Sequence, residues 1–401
     1  MTNQPEATRC PRSQRKTSRP GEADAPPVEL RGGVWQVRSL PVARAILREP
    51  SATLQAGFNA DDVRRAPTRL PLLFSDGPEH RQQRTKAARF FAPRTVTTRY
   101  RDLMVRRADA LVAAMVGNTV DLSEASLRMA VDVAAVVIGL TDSDRAGMTR
   151  RLERFFAIGQ VAPDARRPRI ARLSQLVLAQ GRLWSFHLRD VRPAVRARRR
   201  APRDDVISHL IAEGCSDVDI LIEVITYAAA GMATTREFIS MAAWHLLEDP
   251  SRRRDFLDAD EPGQLRLLAE ILRLEPVVGH LYRRTVSEIT VSGPDGEELR
   301  FPAGAILDLF VRSANADVGA DGLCLRPGRE LPAGVGAEVL SFGDGAHKCP
   351  GNALAMYETA ILLRRLLSQE VTLVSEPVIR WDDLIAGYEV RDMMLLVAPP
   401  R

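Results

Sequence analysis

The run Phe342-Gly343-Asp344-Gly345-Ala346-His347-Lys348-Cys349-Pro350-Gly351 decides how this chain is read. One cysteine sits in a glycine-rich turn, and the residues after it, Asn352 to Glu370, read as an apolar-periodic helix. The positive end of a helix offers backbone N–H donors and positive potential, and both favour a thiolate. Glycines let the backbone of such a turn approach a large flat group without Cβ clashes. The alternative is a surface turn carrying an inert thiol.

Outward from that turn, the longest helical pattern runs from Asp217 to Glu248, with Ser216 and Asp219 as an N-terminal cap and Pro250 just past its end. Its middle reads Ala229-Ala230-Gly231-Met232-Ala233-Thr234-Thr235. Small residues there admit something flat against the helix backbone. The two hydroxyls can bond either a ligand or the helix carbonyls. Glu270-Ile271-Leu272-Arg273 sets acid and base at i,i+3, the spacing of a helix ion pair. His80 and Arg84 share a helix face at i,i+4; they could meet one anion together, or form an exposed basic face.

A chain of 401 residues with 45% hydrophobic content can bury a large core. Segments near 41–49, 79–91, 95–116, 122–139, 144–159, 169–199, 204–213, 217–248, 264–274 and 352–369 read as helices. Strands are few: Val34 to Val37, Ile289 to Val291, Leu299 to Phe301, Ile306 to Phe310, and two near Thr372 and Met394. This is a mainly α pattern with a small β-rich part. No linker divides it, so residues 28–401 read as one domain and 1–27, rich in Arg and Pro, as a flexible tail. No stretch is uncharged over the ~18 residues of a membrane span, and the first residues lack the apolar core of a secretory signal. A cytoplasmic protein with no membrane partner is expected. The cysteines Cys10, Cys215, Cys324 and Cys349 fit no disulfide or zinc framework. The net charge of +5 is modest, and the arginine run 192–203 has no interleaved aromatics, so no nucleic-acid partner is expected.

The cysteine turn resembles the haem-binding loop of the cytochrome P-450 family, F-G-x-G-x-H-x-C-x-G, with every fixed position met. The other motifs follow in that family's order, and together the resemblance covers residues 28 to 401. It implies the cytochrome P-450 fold: a large helical domain with a small β-rich subdomain, and haem between the long central helix and the cysteine-loop helix. Cys349 would be the axial thiolate ligand of haem b (iron protoporphyrin IX), with Phe342, Gly343 and Gly351 shaping the loop and Ala230 approaching the porphyrin. His80, Arg84, Arg283 and His347 would meet the haem propionates; Arg284 beside Arg283 leaves that register open by one. Glu270 and Arg273 would be structural, with Arg326 or Arg329 as third partner.

Thr234, with Thr235 beside it, would serve the dioxygen and its protons. Here the chain departs from the family pattern, because the acidic position before Thr234 is Ala233. Thr234 and water could suffice, Glu237 or a substrate group could substitute, or the reaction could differ from ordinary hydroxylation. The resemblance implies a monooxygenase that inserts one oxygen atom of O2 into a hydrophobic or aromatic small metabolite, in bacterial secondary metabolism. A ferredoxin and its reductase would supply electrons to a monomer, docking near Arg364 and Arg365. Substrate contacts would come from Leu72, Phe74, Ala229, Ala233, Val278 and Tyr388. The rival outcomes on this scaffold are oxidative coupling, peroxide-driven oxidation and NO reduction; a non-catalytic haem sensor is a separate class.

Overall fold

The structure, a computed structural model, describes residues 13–18, 25–58, 60–65, 67–159, 178, 180–382 and 385–399. The chain forms two compact units, Met1–Leu54 with Leu265–Lys348, and Gln55–Gln264 with Cys349–Arg401. Each is assembled from separate stretches of sequence, which explains why no linker is visible between them and why 28–401 reads as a single domain.

The first unit is built on a sheet whose strands lie in the order Val28–Arg31, Val34–Val37, Ile306–Phe310 and His280–Thr285, ending on Thr53–Gln55, where the chain passes into the second unit. Val34–Val37 runs parallel to Ile306–Phe310, pairing Trp35 with Leu307. Val37, Leu40, Ile46, Phe301, Leu307 and Leu309 form its core, and each such side chain contributes ~1.5–3 kcal/mol when fully buried. Trp35 meets Phe301 edge-on at 5.1 Å between ring centroids. Here the expectation of a flexible tail over 1–27 needs correction. Thr17 is 0% exposed, and its N–H and hydroxyl both donate to the buried carboxylate of Glu275. Arg15 donates to the carbonyls of Leu274 (2.8 Å) and Arg312 (2.8 Å), so residues 13–18 are docked. The rest of the tail, apart from 25–27, lies outside the described residues. Cys324 is disulfide-bonded, against the reading of four unlinked cysteines; its partner lies outside the described residues.

The second unit is helical. Arg101–Met115, Leu122–Ile138, Thr234–Glu248 and Asn352–Leu367 pack together as a four-helix cluster. Leu122–Ile138 starts where the Asp121 carboxylate accepts from the Ser123 N–H (2.8 Å) and stops at Gly139, whose φ of 104° only glycine adopts readily. A Cβ at Gly139 would also lie 2.7 Å from the Asp205 carboxyl. Asp205 bonds Arg198, a 1% exposed member of the arginine run, so part of that run is structural rather than solvated. Among the described residues one helix, Asp217–Glu248, is long and apolar enough to cross a membrane; its second half is packed inside this cluster. The small sheets Thr119–Asp121, Met394–Val397, Val371–Leu373 and Val378–Asp382, Gly387–Arg391 complete the unit. Of these strands only the ones near Thr372 and Met394 are visible in the sequence; a three-residue strand such as Thr119–Asp121 is too short to show a period of two.

Candidate active site

The central helix is three pieces: Asp217–Ala228, a π-helical turn Ala229–Ala233, and Thr234–Glu248. Ser216 and Asp219 form a reciprocal capping box at its start, as their spacing predicts. Insertion of a π turn opens a helix face, and such turns concentrate at functional sites. Ala230 and Gly231 are exposed there, Ala229, Ala233 and Thr234 are half-buried, and Met232 is in the core. The Thr234 hydroxyl donates to the Ala230 carbonyl, one of the two options the sequence left open. Thr235 is 5% exposed and belongs to the buried side of the helix. Of the two threonines assigned to catalysis, only Thr234 is turned to the opened face, because consecutive helical residues point about 100° apart.

Glu237 is also corrected. Its carboxylate accepts from the Val390 N–H (2.7 Å), from Arg391 (2.9 Å) and from Arg236 (2.7 Å), at 2% exposure. A carboxylate held by two guanidiniums and a backbone donor is a structural strut, not a mobile proton carrier. Neither position 233 nor 237 supplies the missing acid. Tyr388, on the strand Gly387–Arg391, is 0% exposed and paired with Trp381. Leu72 and Phe74 are buried at 7% and 6%.

In the same unit Cys349 stands just ahead of Asn352–Leu367, whose N-cap is Gly351. The sulfur is half-buried and free of disulfide. A Cβ added to Gly351 would lie 4.0 Å from it. Arg84 lies close enough to Cys349 for charge interaction: burial lowers the affinity of its guanidinium for the proton, while the sulfur and Tyr227 oppose that. His80, one turn earlier on the helix Gly77–Phe91, is 2% exposed, so the pair is not an exposed basic face. Sequence, helix end and guanidinium therefore converge on one sulfur.

In the first unit, Gly343 and Gly345 have φ of 70° and 66°. A Cβ on Gly345 would sit 2.0 Å from the Leu47 carbonyl, so only glycine fits the turn that precedes Gly345–His347. Burial pushes the Asp344 carboxyl up, but bonds from Arg44, the Gly345 N–H and Arg48 hold it below the usual range. Phe342, Gly343 and His347 are half-buried in this turn or next to it. Arg283 is 4% exposed and donates to the Tyr282 carbonyl (2.8 Å), whereas Arg284 is half-buried. Val278 is half-buried. Sequence reasoning missed His280, whose Nδ1 meets Asp308 at 2.7 Å and whose ring packs 4.1 Å from Phe310; its only signal was its place in the strand of Arg283.

Glu270 and Arg273 form a buried two-point pair at 2.7 and 2.8 Å. Arg273 also donates to the carbonyls of Asn315 (2.8 Å), Gly322 (2.7 Å) and Cys324 (2.9 Å). Both candidate third partners reach Glu270, Arg326 through its N–H (2.9 Å) and Arg329 through its side chain (3.3 Å).

Residues 266–370 match the family model of cytochrome P450. The chain is 26% identical over 314 residues to the putative cytochrome P450 123 of Mycobacterium tuberculosis, covering 75% of this chain and 73% of that protein. It is 27% identical over 356 residues to the erythromycin C-12 hydroxylase of Saccharopolyspora erythraea, covering 84% and 82%. The open form of the cytochrome P450 EryK from S. erythraea shares the fold, with a TM-score of 0.74, 24% identity, and coverage of 94% and 93%. Over residues 266–370 and through these relatives the chain is similar to cytochromes P450, a family whose members carry haem.

Proposed function

We propose that the protein inserts one oxygen atom of O2 into a hydrophobic or aromatic metabolite of bacterial secondary metabolism, with electrons delivered by a ferredoxin and its reductase. The observation that carries this reading is the π turn. It exposes Ala230 and Gly231 and leaves Thr234 half-buried beside them, between the buried residues Ala228 and Thr235. The named substrate of the erythromycin C-12 hydroxylase relative supports a secondary metabolite.

The residues fit haem b. A half-buried cysteine at a helix N-terminus has Arg84 in charge range, and the face at 230–231 has no side chain beyond a methyl to obstruct a flat ring. Cys349 would be the axial ligand. His80, Arg84, Arg283 and His347 would meet the propionates, two guanidiniums and two imidazoles offering N–H donors to two carboxylates. When bound, haem supplies the oxygen-activating chemistry, which thiolate ligation promotes. The protein's own part is to orient the substrate, exclude water and hold protons. Thr234, with its hydroxyl hydrogen on the Ala230 carbonyl, presents oxygen lone pairs that accept from a water. Arg365 is engaged by Asp109, so Arg364 is the better docking contact for an acidic ferredoxin. A second reading, oxidation other than hydroxylation on the same scaffold, is favoured by Ala233 together with the engagement of Glu237.

The test is a spectral titration of haem-loaded ferric protein against apolar and polar metabolites. Apolar compounds should produce the low-to-high-spin shift and be converted to mono-oxygenated products with O2, ferredoxin and reductase. Electron transfer directly from NADH to the ferric–NO form, with no product from any binder, would favour the second reading and refute the first.

A further inference from the structure

The central helix bears two carboxylates one turn apart, Asp219 and Glu223, and both accept main-chain hydrogen bonds from one loop. The Arg69 N–H donates to Asp219 Oδ1 (3.0 Å) and the Leu72 N–H to Glu223 Oε2 (3.0 Å). Asp219 is committed twice, because its other oxygen serves the capping box with Ser216. Arg69 adds a contact to the Cys215 sulfur at 2.9 Å. Glu223 is 8% exposed and takes a further hydrogen bond from the Tyr227 hydroxyl, and Tyr227 in turn stacks on Phe91 at 5.6 Å. A cavity lies beside this loop, lined by Leu72, Phe90, His209, Glu223 and Tyr227. Beside that space, the two main-chain hydrogen bonds tie the loop to the helix.

We propose that Glu223 is a positioning residue for substrate selection: its carboxylate anchors the backbone of Leu72 to the helix that carries Thr234, and so sets where Leu72 and Phe74 stand. This rests on the proposed roles of Leu72, Phe74 and Thr234. The geometry explains why an acid sits in the buried part of this helix. A charge-assisted acceptor for a backbone N–H is stronger than a neutral one, and no apolar residue could hold the loop. Burial pushes the Glu223 carboxyl up to about 7, with the Leu72 N–H, Arg69 and Tyr227 acting against that. The other titratable groups around it are Asp219, His209, Cys215 and the pair Lys86–Glu213, all lining the same cavity. The loop should therefore be held most firmly when Glu223 is ionised, above about pH 7.

The experiment compares full-length wild type, E223Q and E223A by two independent readouts. The first is amide hydrogen exchange of the peptide covering 70–74, corrected for intrinsic rate, between pH 6 and pH 8. In E223A its protection should fall by about tenfold, the loss expected for one charge-assisted hydrogen bond, with the helix Leu122–Ile138 unchanged. E223Q keeps an acceptor, so it should retain most of the protection and lose the wild-type rise with pH. The second is binding of two azoles to the haem-loaded protein. E223A should weaken 4-phenylimidazole by about fivefold or more and leave imidazole within about twofold, because only the larger probe reaches the loop.

Unchanged exchange in E223A, or a pH dependence in E223Q equal to wild type, overturns the anchor. Reduced protection with both azoles unaffected, or equally weakened, overturns the role in selection. If E223A fails to fold, the pH profile of E223Q decides alone. The exchange arm needs no haem, so failure of the wild type to take up haem would refute the proposed function and leave this result standing.

Discussion

Replacing Arg273 by alanine should destabilise the first unit by roughly 3–5 kcal/mol, the cost of breaking a buried ion pair from one side. Arg273 is 0% exposed and makes five hydrogen bonds, two to Glu270 and three to the carbonyls of Asn315, Gly322 and Cys324. Glu270 keeps the Arg326 N–H and Arg329, which places its share at the low end. The three carbonyls lose their charged donor, and an unmet buried acceptor costs ~1–3 kcal/mol where water cannot reach it. The double variant E270L/R273M should be destabilised at least as much as R273A, because it also removes the acceptor of the Arg326 N–H and of the buried Arg329 guanidinium, but by less than the sum of its two singles, because all these groups share one network. Urea unfolding followed by tryptophan fluorescence reads this, since Trp35 lies in the same unit against Phe301. R273A within about 1 kcal/mol of wild type, or a double variant worse than the sum of its singles, would refute the view that this cluster acts as one network.

Glu358, buried on the helix Asn352–Leu367 with Oε1 lacking a hydrogen-bond partner, has its carboxyl pushed up to about 8 by burial and, secondarily, by Asp132. The unfolded chain gives up this proton first, so its contribution to stability is present below about pH 4.5 and is lost as pH rises to about 8, by ~1.4 kcal/mol per unit. E358Q should flatten the decline of melting temperature between pH 5 and pH 9, and parallel curves would contradict the assignment. T234A should cut product formed per electron pair consumed by at least about tenfold; unchanged coupling, measured as product against NADH used, would remove Thr234 from proton handling. R15A should cost ~1–3 kcal/mol in thermal unfolding by stripping donors from the Leu274 and Arg312 carbonyls; no change would mean that residues 13–18 add nothing to the unit.

What the sequence made legible was local. The capping box at Ser216 and Asp219, the i,i+3 pair Glu270–Arg273 and the glycines around Cys349 each follow from short-range geometry, and each has the predicted form. The π turn at Ala229–Ala233 was not legible, because one extra residue in a turn leaves no periodic trace over five positions. Thr235 was misjudged because consecutive helical residues point about 100° apart, and Glu237 because its partners, Val390 and Arg391, lie over 150 residues away. The docking of Thr17 on Glu275 was hidden by composition. Arginine and proline read as tail, while the fixing contact is a long-range buried acid. The two-unit division was hidden because both units are discontinuous.

The central claim is ligation of a porphyrin iron by the sulfur of Cys349, and its most direct test is the absorption spectrum of the reduced protein under carbon monoxide. The account predicts the red-shifted Soret band that gives the family its number, lost in C349H with the fold retained by circular dichroism. A band at the shorter wavelength of imidazole-ligated haem proteins in well-folded wild type, or no pigment after reconstitution with haem, would contradict it.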